Sequence, residues 1–230
     1  MKSVLLYNLC PLNNWEELTL ALLSDHNHDK LYIHVSMPLK NYLGFRKKSI
    51  LDKLAKYTEP TNIFFSKNVR KKGESIGFNK FRTFIDFDSF NIATYIHSKG
   101  VSKRKYKSQN VRDWTMMMHY FLIERHDLCK QAFKKGYHLY GCNLMLNSDL
   151  DNGAPPLLLK TPFLYSGNFV SINLDILRDR FLSNICAPDY YGPEAFWGKL
   201  TKLEKAYIAH KSPISNHYQE SYPREMYVIS

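Results

Sequence analysis

The sequence predicts an α/β protein in which helices flank a central sheet, and three observations support this. Short β-branched and aromatic segments alternate with segments whose apolar residues recur at helical spacing. The first predicted strand, at 3–9, is followed at once by a turn and a helix. The chain has 230 residues, of which 44% are hydrophobic and 14% aromatic, so it can build a core in one large domain.

The predicted strands are short apolar runs that end in polar or turn-forming residues. In the second of them, Leu31, Ile33 and Val35 alternate with polar residues until Pro38 ends the run. The central one, at 92–96, stops abruptly in polar residues and a glycine. Strands are predicted in this way at 3–9, 30–37, 62–65, 92–96 and 137–142, and after a glycine-containing turn at 165–170.

The predicted helices carry apolar residues three and four positions apart. The longest runs over 111–133, where Trp114, Met117 and Met118 fall on the apolar face and are expected to pack in the core. Gly136 closes this helix. The other helices are predicted after a cap at Asn13-Asn14, at 45–57, through the apolar residues at 78–85, at 174–181 and from Pro193 onward.

Two segments predict irregular structure. Residues 147–162 contain an Asp-Asn-Gly sequence and a Pro-Pro pair, which favour a loop. The segment beyond His210 has separated prolines and isolated aromatic residues, so it is expected to wrap over the body of the protein. One domain over 1–210 with a C-terminal tail over 211–230 is therefore predicted.

The charge and the cysteine content bear on the partners and the setting of the protein. A net charge of +11 favours partners that carry phosphate, from nucleic acid to nucleotide sugars to membrane surfaces, without choosing among them. The four cysteines form no C-x-x-C pair, so neither a zinc site nor a disulfide framework is predicted and a cytoplasmic setting is expected. The apolar stretch at 4–7 is too short for a signal peptide or a membrane span, and a soluble domain is expected.

The end of the central strand is the strongest candidate for a functional site. It places His97, Ser98 and Lys99 at the carboxyl end of a strand, where open α/β sheets bind ligands. Further cations follow in the segment Lys103-Arg104-Lys105-Tyr106-Lys107. An anion, above all phosphate, is the natural partner of such a segment, and a solvated loop is the alternative.

Four groups of residues in a fixed order carry a family resemblance. They are Tyr95-Ile96-His97-Ser98-Lys99-Gly100, Arg112-Asp113-Trp114, Tyr165-Ser166-Gly167-Asn168-Phe169 and Pro193-Glu194-Ala195-Phe196-Trp197. This order resembles the "YLHTKG … W … GNFWW … E-x-W" glycosyltransferases, similar to the rhamnan synthesis protein F group and to sugar transferases of large DNA viruses. The resemblance covers about residues 73–198, and the H-x-K-G sequence is its most specific part. The chain departs from the pattern at Val170-Ser171, where the family has two tryptophans, which bears on sugar or acceptor specificity.

The resemblance implies a GT-A-like fold, a single Rossmann-like domain with a mostly parallel mixed sheet that binds a nucleotide sugar along its first half. It implies a hexosyl- or deoxyhexosyltransferase that moves a sugar from a nucleotide sugar, with a UDP-sugar favoured, to a glycan acceptor. Nucleotide sugar and acceptor are then the partners, and no nucleic acid is expected. The domain can belong to a longer multidomain chain, and a viral protein of this kind would work in the host cytoplasm.

Residues near the ends of the predicted strands are the candidates for donor binding in such a fold. They are Tyr7, Asn8, Gly73, Glu74, His97, Ser98, Lys99 and Asn168. Most GT-A enzymes hold a divalent metal with a D-x-D sequence after the fourth strand, whereas this chain has His97-Ser98-Lys99 there. Lys99 can neutralise a diphosphate with help from His97 or Arg104, so Mn²⁺ or Mg²⁺ is not expected to be required and no metal ligand is predicted. The D-x-D sequence at 86–88 precedes the strand and is expected on the surface.

Glu194 is the candidate general base, because a transferase of this kind needs a carboxylate opposite the leaving diphosphate. It lies at a helix start among aromatic residues, which favour a raised pKa and stacking on a sugar ring. These neighbours are Tyr190, Tyr191, Phe196 and Trp197. Lys99 and His97 complete the predicted catalytic set. The alternative for Glu194 is an ordinary first-turn acid, and Asp113 or Asp189 is then the next carboxylate to test.

Two other functions fit parts of the sequence. The basic segment at 103–107, beside many tyrosines, is compatible with a nucleic-acid-binding module, although no helix-turn-helix, finger or RNP sequence is present. A sugar-binding domain without catalytic activity keeps every feature of the resemblance except turnover.

Overall fold

The computed structural model describes residues 1–38, 45–101, 109–151 and 153–228. It confirms the predicted α/β class. A seven-stranded, mostly parallel mixed sheet has helices on both faces and forms a single Rossmann-like domain.

The large sheet has the strand order β3-β2-β1-β4-β8-β5-β9. Strand β8 runs antiparallel to both of its neighbours, and the other neighbouring pairs are parallel. Strands β6 and β7 form a separate two-stranded antiparallel sheet. The strands are β1 (Ser3–Leu9), β2 (Lys30–Met37), β3 (Ile63–Lys67), β4 (Ile92–His97), β5 (Leu139–Cys142), β6 (Leu144–Leu146), β7 (Phe163–Tyr165), β8 (Val170–Asn173) and β9 (Ala206–His210).

The helices connect these strands and cover both faces of the sheet. They are α1 (Trp15–Leu23), α2 (Phe45–Leu54), α3 (Ser75–Phe84), α4 (Gln109–His119), α5 (His126–Lys134), α6 (Pro156–Leu159), α7 (Leu174–Ser183) and α8 (Gly192–Trp197). Within the described ranges, every helix is too short or too polar to cross a membrane.

Alternation along β1 explains why its residues are apolar almost throughout. Leu5 and Tyr7 face the core beneath α1, α2, α4 and α5, whereas Val4 and Leu6 face the core beneath α3, α7 and α8. A strand buried on both faces has no solvent side, so the two-residue alternation of polar and apolar residues is absent. The second core is rich in aromatic rings, among them Phe78, which packs edge-on against Trp197.

The helix predicted over 111–133 is interrupted, so that prediction was wrong in its continuity. Helix α4 ends at His119 and a π-helical turn spans Tyr120–Glu124 before α5 begins at His126. The backbone N–H of Arg125 donates to the carbonyl of Tyr120 at 2.8 Å, five residues back. The apolar spacing persists through this turn, which is why periodicity alone predicts one helix. Trp114, Met117 and Met118 are buried, as expected.

Short elements were missed for a related reason. The segment predicted as a loop contains α6, is preceded by β6 and runs into β7, and β9 lies in a segment for which no strand was predicted. Strands β6 and β7 have three residues each, too few to show a period. Their pairing, and that of β9 with β5, joins residues far apart in the chain.

The described part of the C-terminal tail packs on the core. Tyr222 and Tyr227 are buried in the same cluster as Phe121 of the π-helical turn. Arg224 forms two hydrogen bonds with the carboxylate of Glu124, at 2.8 and 2.5 Å. The hydroxyl of Ser221 donates to Asp113 in α4. These contacts fix the tail beside α4, the helix that carries Trp114.

Candidate functional site

The strand order of the sheet reverses between β1 and β4, with β2 and β3 on one side and β8 on the other. Ligands of open α/β sheets bind at such a point, beyond the carboxyl ends of the strands. Here Asn8 of β1 lies opposite His97 of β4. The backbone N–H of Ser98 donates to the carbonyl of Asn8 at 3.0 Å, and the Ser98 hydroxyl accepts from the backbone of Cys10 at 2.8 Å. The two strand ends are therefore fixed to each other, and Ser98 serves this connection.

Asn8 is the centre of a buried hydrogen-bond network. Its Nδ2 atom donates to the backbone carbonyl of Glu74 at 2.9 Å and to the Tyr95 hydroxyl at 3.1 Å. Its Oδ1 atom accepts from Nδ1 of His34 at 2.9 Å, and the other ring nitrogen of His34 bonds to Ser66 at 2.8 Å. Burial lowers the pKa of His34 to about 3, so the ring is neutral and can accept from that serine. The network links all four parallel strands of the first half of the sheet.

Two glycines let the chain reach this network. Gly73, with φ of 50°, turns the backbone before Glu74, and a Cβ there would lie 2.9 Å from the ring of Tyr190. Gly77, in the first turn of α3, lies directly over the bond between Asn8 and His34. A Cβ at this position would lie 2.2 Å from Nδ1 of His34 and 2.6 Å from Oδ1 of Asn8. Helix α3 can approach the strands this closely because residue 77 has no side chain.

The Glu74 carboxylate lies at the start of α3 and is oriented by two donors. Its Oε2 atom accepts from the Tyr95 hydroxyl at 2.5 Å and from Nδ2 of Asn168 at 3.1 Å. The amide oxygen of Asn168 in turn accepts from the indole of Trp197 at 2.7 Å. Burial raises the pKa of Glu74 to about 7, against the lowering effects of Tyr95, Lys99 and Asn168. The side chain is 18% exposed, so the carboxylate is partly accessible at the region beyond the carboxyl ends of β1 and β4, which we name the cleft.

The turn between β7 and β8 delivers Asn168. Gly167 has φ of 95° and Asn168 has φ of 58°, a conformation that glycine and asparagine adopt more readily than other residues. The backbone N–H of Asn168 donates to the carbonyl of Tyr165 at 3.0 Å, which closes the turn. The Ser-Gly-Asn sequence therefore both forms the turn and supplies a side chain to the site.

His97 lies between the turn and Glu74. Its Nε2 atom bonds to the carbonyl of Gly167 at 3.0 Å, and its Nδ1 atom lies 3.6 Å from Oε1 of Glu74. Burial lowers the pKa of His97 to about 4, and the nearby charge of Lys99 contributes in the same direction. The ring is therefore neutral near pH 7.

Lys99, two residues after His97, lies against aromatic rings of α4 and the tail. Its ammonium lies 3.9 Å from the ring centre of Trp114 and 5.9 Å from that of Tyr218, within the range of cation–π attraction. Trp114 also stacks on His217, with ring centres 5.0 Å apart and planes 10° apart. The charge of Lys99 also lowers the pKa of Glu74, after the larger effects of burial and of the Tyr95 hydrogen bond.

Glu194, in the first turn of α8, belongs to the same electrostatic environment. Burial raises its pKa, and the charge of Glu74 raises it further, whereas Lys99 and His97 oppose this. No residue in the described ranges forms a hydrogen bond with its carboxylate. Glu74 and Glu194 are thus two carboxylates that both interact with the charge of Lys99, one fixed by hydrogen bonds and one without such bonds from the described chain.

Several predicted residues lie elsewhere. Tyr7 points into the core on the α1 face, where its hydroxyl bonds to Thr19 at 2.9 Å, so the structure does not place it beside a bound base. Asp113 accepts from Gln109 at 2.5 Å and from Ser221, and is thereby held in the contact between α4 and the tail. Asp189 is exposed and accepts from the backbone of Tyr191. Arg104 and the rest of the basic segment at 103–107 lie outside the described residues.

The D-x-D sequence lies at the wrong end of β4 for a site shared with His97. Asp86 and Asp88 are exposed and precede the first residue of the strand, as the sequence predicts. Asp88 pairs with Arg178 at 3.9 Å. Over the described ranges, no group of three or more His, Cys, Asp or Glu residues is arranged to hold a metal ion.

Sequence reasoning named Tyr95, Trp114 and Trp197 as members of the resembling motifs, and Trp197 as a neighbour of Glu194, but did not predict their contacts with Glu74, Lys99 and Asn168. Each is buried and belongs to a strand or helix with an apolar pattern, which by itself predicts a core residue. For Tyr95 and Trp197 the distinguishing feature is one polar atom in a long-range hydrogen bond, to Glu74 and Asn168 respectively. Comparison with family models and with curated proteins finds no significant match for the sequence. Function must therefore be inferred from the residues of the site.

Proposed function

We propose that the protein is a glycosyltransferase that moves a sugar from a nucleotide sugar to a hydroxyl acceptor. The observation that supports it most is the pairing, at the point of strand reversal, of a cation with an oriented carboxylate. The charge of Lys99 acts on Glu74, and the pKa of Glu74 is about 7. Transfer of a sugar needs both groups, a cation to stabilise the leaving diphosphate and a base to take a proton from the acceptor.

The donor end of the cleft is formed by the carboxyl ends of β1 and β4 and the start of α3. The hydrogen bond from Asn8 to the backbone of Glu74 joins β1 to the start of α3 at the bottom of this region. Gly73 packs closely against Tyr190 at its edge. A nucleoside diphosphate placed here reaches Lys99, whose ammonium offers a point charge to the phosphate oxygens. The family resemblance favours UDP as the nucleotide. Lys99 supplies charge that a metal supplies in related enzymes, so a strict need for Mn²⁺ or Mg²⁺ is not part of the proposal.

The chemical step that fits the cleft is a single displacement. The acceptor oxygen attacks the anomeric carbon while the diphosphate leaves with the bonding electron pair. A carboxylate beside the acceptor takes its proton, and the sequence singles out Glu194 for this role. Glu194 and Glu74 are both candidates for this base, since each has a raised pKa and each interacts with the charge of Lys99.

A melting experiment with donors tests the function. UDP-, GDP- and dTDP-sugars are added at millimolar concentration, each with manganese and with EDTA. A ligand that binds the folded state raises the melting temperature, so one nucleotide class should raise it and EDTA should leave most of the shift in place. The donor that binds should also be hydrolysed slowly to the nucleoside diphosphate. A complete lack of shift across the panel would contradict the proposal, and a shift seen only with manganese would contradict its metal independence.

A further inference from the structure

Two hydrogen-bond acceptors face each other in the cleft. The carbonyl of Gly167 can only accept, so Nε2 of His97, 3.0 Å away, carries the hydrogen of the neutral ring. Its other nitrogen, Nδ1, is then a bare acceptor. This atom lies 3.6 Å from Oε1 of Glu74, too far for a direct hydrogen bond. The two lone pairs repel each other when Glu74 is ionised, and a donor that contacts both atoms removes that repulsion.

The two oxygens of Glu74 are not equivalent. Oε2 already accepts from Tyr95 and Asn168, and Asn168 is held by Trp197. Oε1 is the oxygen that faces His97. The carboxylate is therefore locked in one orientation through Oε2 and presents Oε1 to a ligand. A base oriented in this way loses little freedom when it takes a proton.

We propose that a hydroxyl of the acceptor binds between Glu74 and His97 and gives its proton to Oε1 of Glu74, so that Glu74 rather than Glu194 is the catalytic base. This rests on the proposed glycosyltransferase function. The acceptor O–H bond breaks and its hydrogen moves to Oε1. The acceptor oxygen forms a bond to the anomeric carbon, and the bond from that carbon to the diphosphate oxygen breaks with its electron pair on the diphosphate. The charge of Lys99 offsets the charge that develops there.

His97 makes this transfer more favourable. The lone pair of Nδ1, 3.6 Å from Oε1, repels ionised Glu74, and that repulsion is relieved once Oε1 carries the proton. Glu194 has no comparable support. Its carboxylate lacks a hydrogen-bond partner within the described residues, so nothing there fixes its orientation. In this scheme Glu194 does not take the proton of the acceptor.

The test uses the full chain and the sugar nucleotide that gives the largest melting shift, with water as the acceptor. Release of the nucleoside diphosphate is followed from acid to alkaline pH in wild type, Glu74→Gln and Glu194→Gln. The exposed Glu59→Gln variant is the matched control. Loss of a general base lowers the rate by roughly 10²- to 10⁴-fold, and we expect that loss for Glu74→Gln with the donor-induced melting shift retained. Glu194→Gln should lose at least tenfold less than Glu74→Gln.

A second variant reports on the pH dependence and distinguishes a chemical role from a structural one. The Tyr95 hydroxyl lowers the pKa of Glu74 by its hydrogen bond, so Tyr95→Phe should raise that pKa. The rise of the hydrolysis rate with pH should then move to higher pH. If Glu194 were the base, the pH profile of Tyr95→Phe would not move to higher pH, because a less ionised Glu74 raises the pKa of Glu194 less.

The outcomes separate this inference from the function on which it rests. A Glu74→Gln variant that binds donor and hydrolyses it at nearly the wild-type rate would overturn the role of Glu74 and leave the glycosyltransferase function standing. Absence of any donor shift with wild type would overturn both. If Glu74→Gln does not fold, the pH profile of Tyr95→Phe decides, and an unmoved profile counts against Glu74.

Discussion

The two walls of the cleft are built by different kinds of contact. The network wall, formed by Asn8, Glu74, Tyr95 and Asn168, is held by directional hydrogen bonds that join distant parts of the chain. The aromatic wall, formed by Trp114, His217 and Tyr218 around Lys99, is held by ring contacts. Within the described ranges, the indole nitrogen of Trp114 and Nδ1 of His217 are buried without a hydrogen bond.

This difference predicts how each wall responds to change. Removal of one group from a buried hydrogen-bond network leaves its partners unsatisfied. A substitution in the network wall should therefore lower the free energy of unfolding. Ring contacts are less directional. Loss of the Lys99 ammonium from the aromatic wall should therefore affect the charge that the site offers to a ligand more than the free energy of unfolding. The variants that follow test that division.

The largest expected effect is on the network wall. Asn168→Ala removes the donor to Glu74 and leaves the buried indole N–H of Trp197 without its acceptor. The free energy of unfolding should fall by about 2–4 kcal/mol, since each unsatisfied buried group costs about 1–3 kcal/mol. Urea unfolding measures this, with the exposed Asn27→Ala variant as control. A loss no larger than that of the control would show that the network does not hold the wall.

Lys99→Met tests the aromatic wall. Methionine keeps an aliphatic stem against Trp114 and removes the charge, so the free energy of unfolding should change by less than about 1 kcal/mol. Donor hydrolysis should fall about ten- to a hundredfold, the equivalent of one charge-assisted contact of roughly 1.5–3 kcal/mol. The exposed Lys48→Met variant is the control. If Lys99→Met unfolds the protein while its remaining folded fraction has a normal specific activity, the lysine is structural.

The raised pKa of Glu74 should make the stability of the protein depend on pH. Its pKa is about 7 in the folded protein and 4.5 ordinarily, so its contribution to stability is full below pH 4.5 and is lost as pH rises through 7. Glu74→Gln cannot ionise, and relative to wild type it should gain about 3 kcal/mol across that range, at about 1.4 kcal/mol for each unit of pKa.

Urea unfolding of both proteins at acid and alkaline pH measures this gain. The buried histidines His28 and His126 occur in both proteins, so their own pH dependence cancels in the difference. A difference between the two proteins that does not change with pH would contradict the raised pKa.

The smallest expected effect concerns the support of the aromatic wall. Ser221→Ala removes the hydroxyl that donates to Asp113 and loosens the contact between the tail and α4. The expected loss is about 0.5–1.5 kcal/mol in the free energy of unfolding. Ser215→Ala, on the exposed side of the same tail, is the matched control. Equal stabilities of the two variants would show that this bond does not hold the tail.

The sequence was sufficient for the fold class because burial on both faces leaves apolar runs that can be recognised locally. The strands predicted at 3–9 and 30–37 have the bounds of β1 and β2. The interruption at Tyr120–Glu124 was not predictable, because one extra residue in a helical turn leaves the apolar spacing nearly unchanged.

The candidate site was predictable only in part. His97 and Lys99 lie at the carboxyl end of a strand, and Asn168 lies in a glycine turn, so each has a local signal. The roles of Tyr95 and Trp197 depend on single hydrogen bonds to residues 21 and 29 positions away, and no local pattern encodes such a pairing. Tyr7 has the same local context as Asn8, yet successive strand residues face opposite sides of the sheet.

The absence of a side chain at Gly77 sets a limit on the mutational tolerance of the protein. An alanine methyl group there would meet His34 and Asn8, whose polar atoms are already engaged on their other sides. Neither can move without breaking the bonds that position Glu74. In a library of all amino acids at position 77, selected first for folding and then for turnover, glycine should be strongly enriched at both stages. A residue with no chemistry of its own would then be as restricted as the carboxylate that it helps to place.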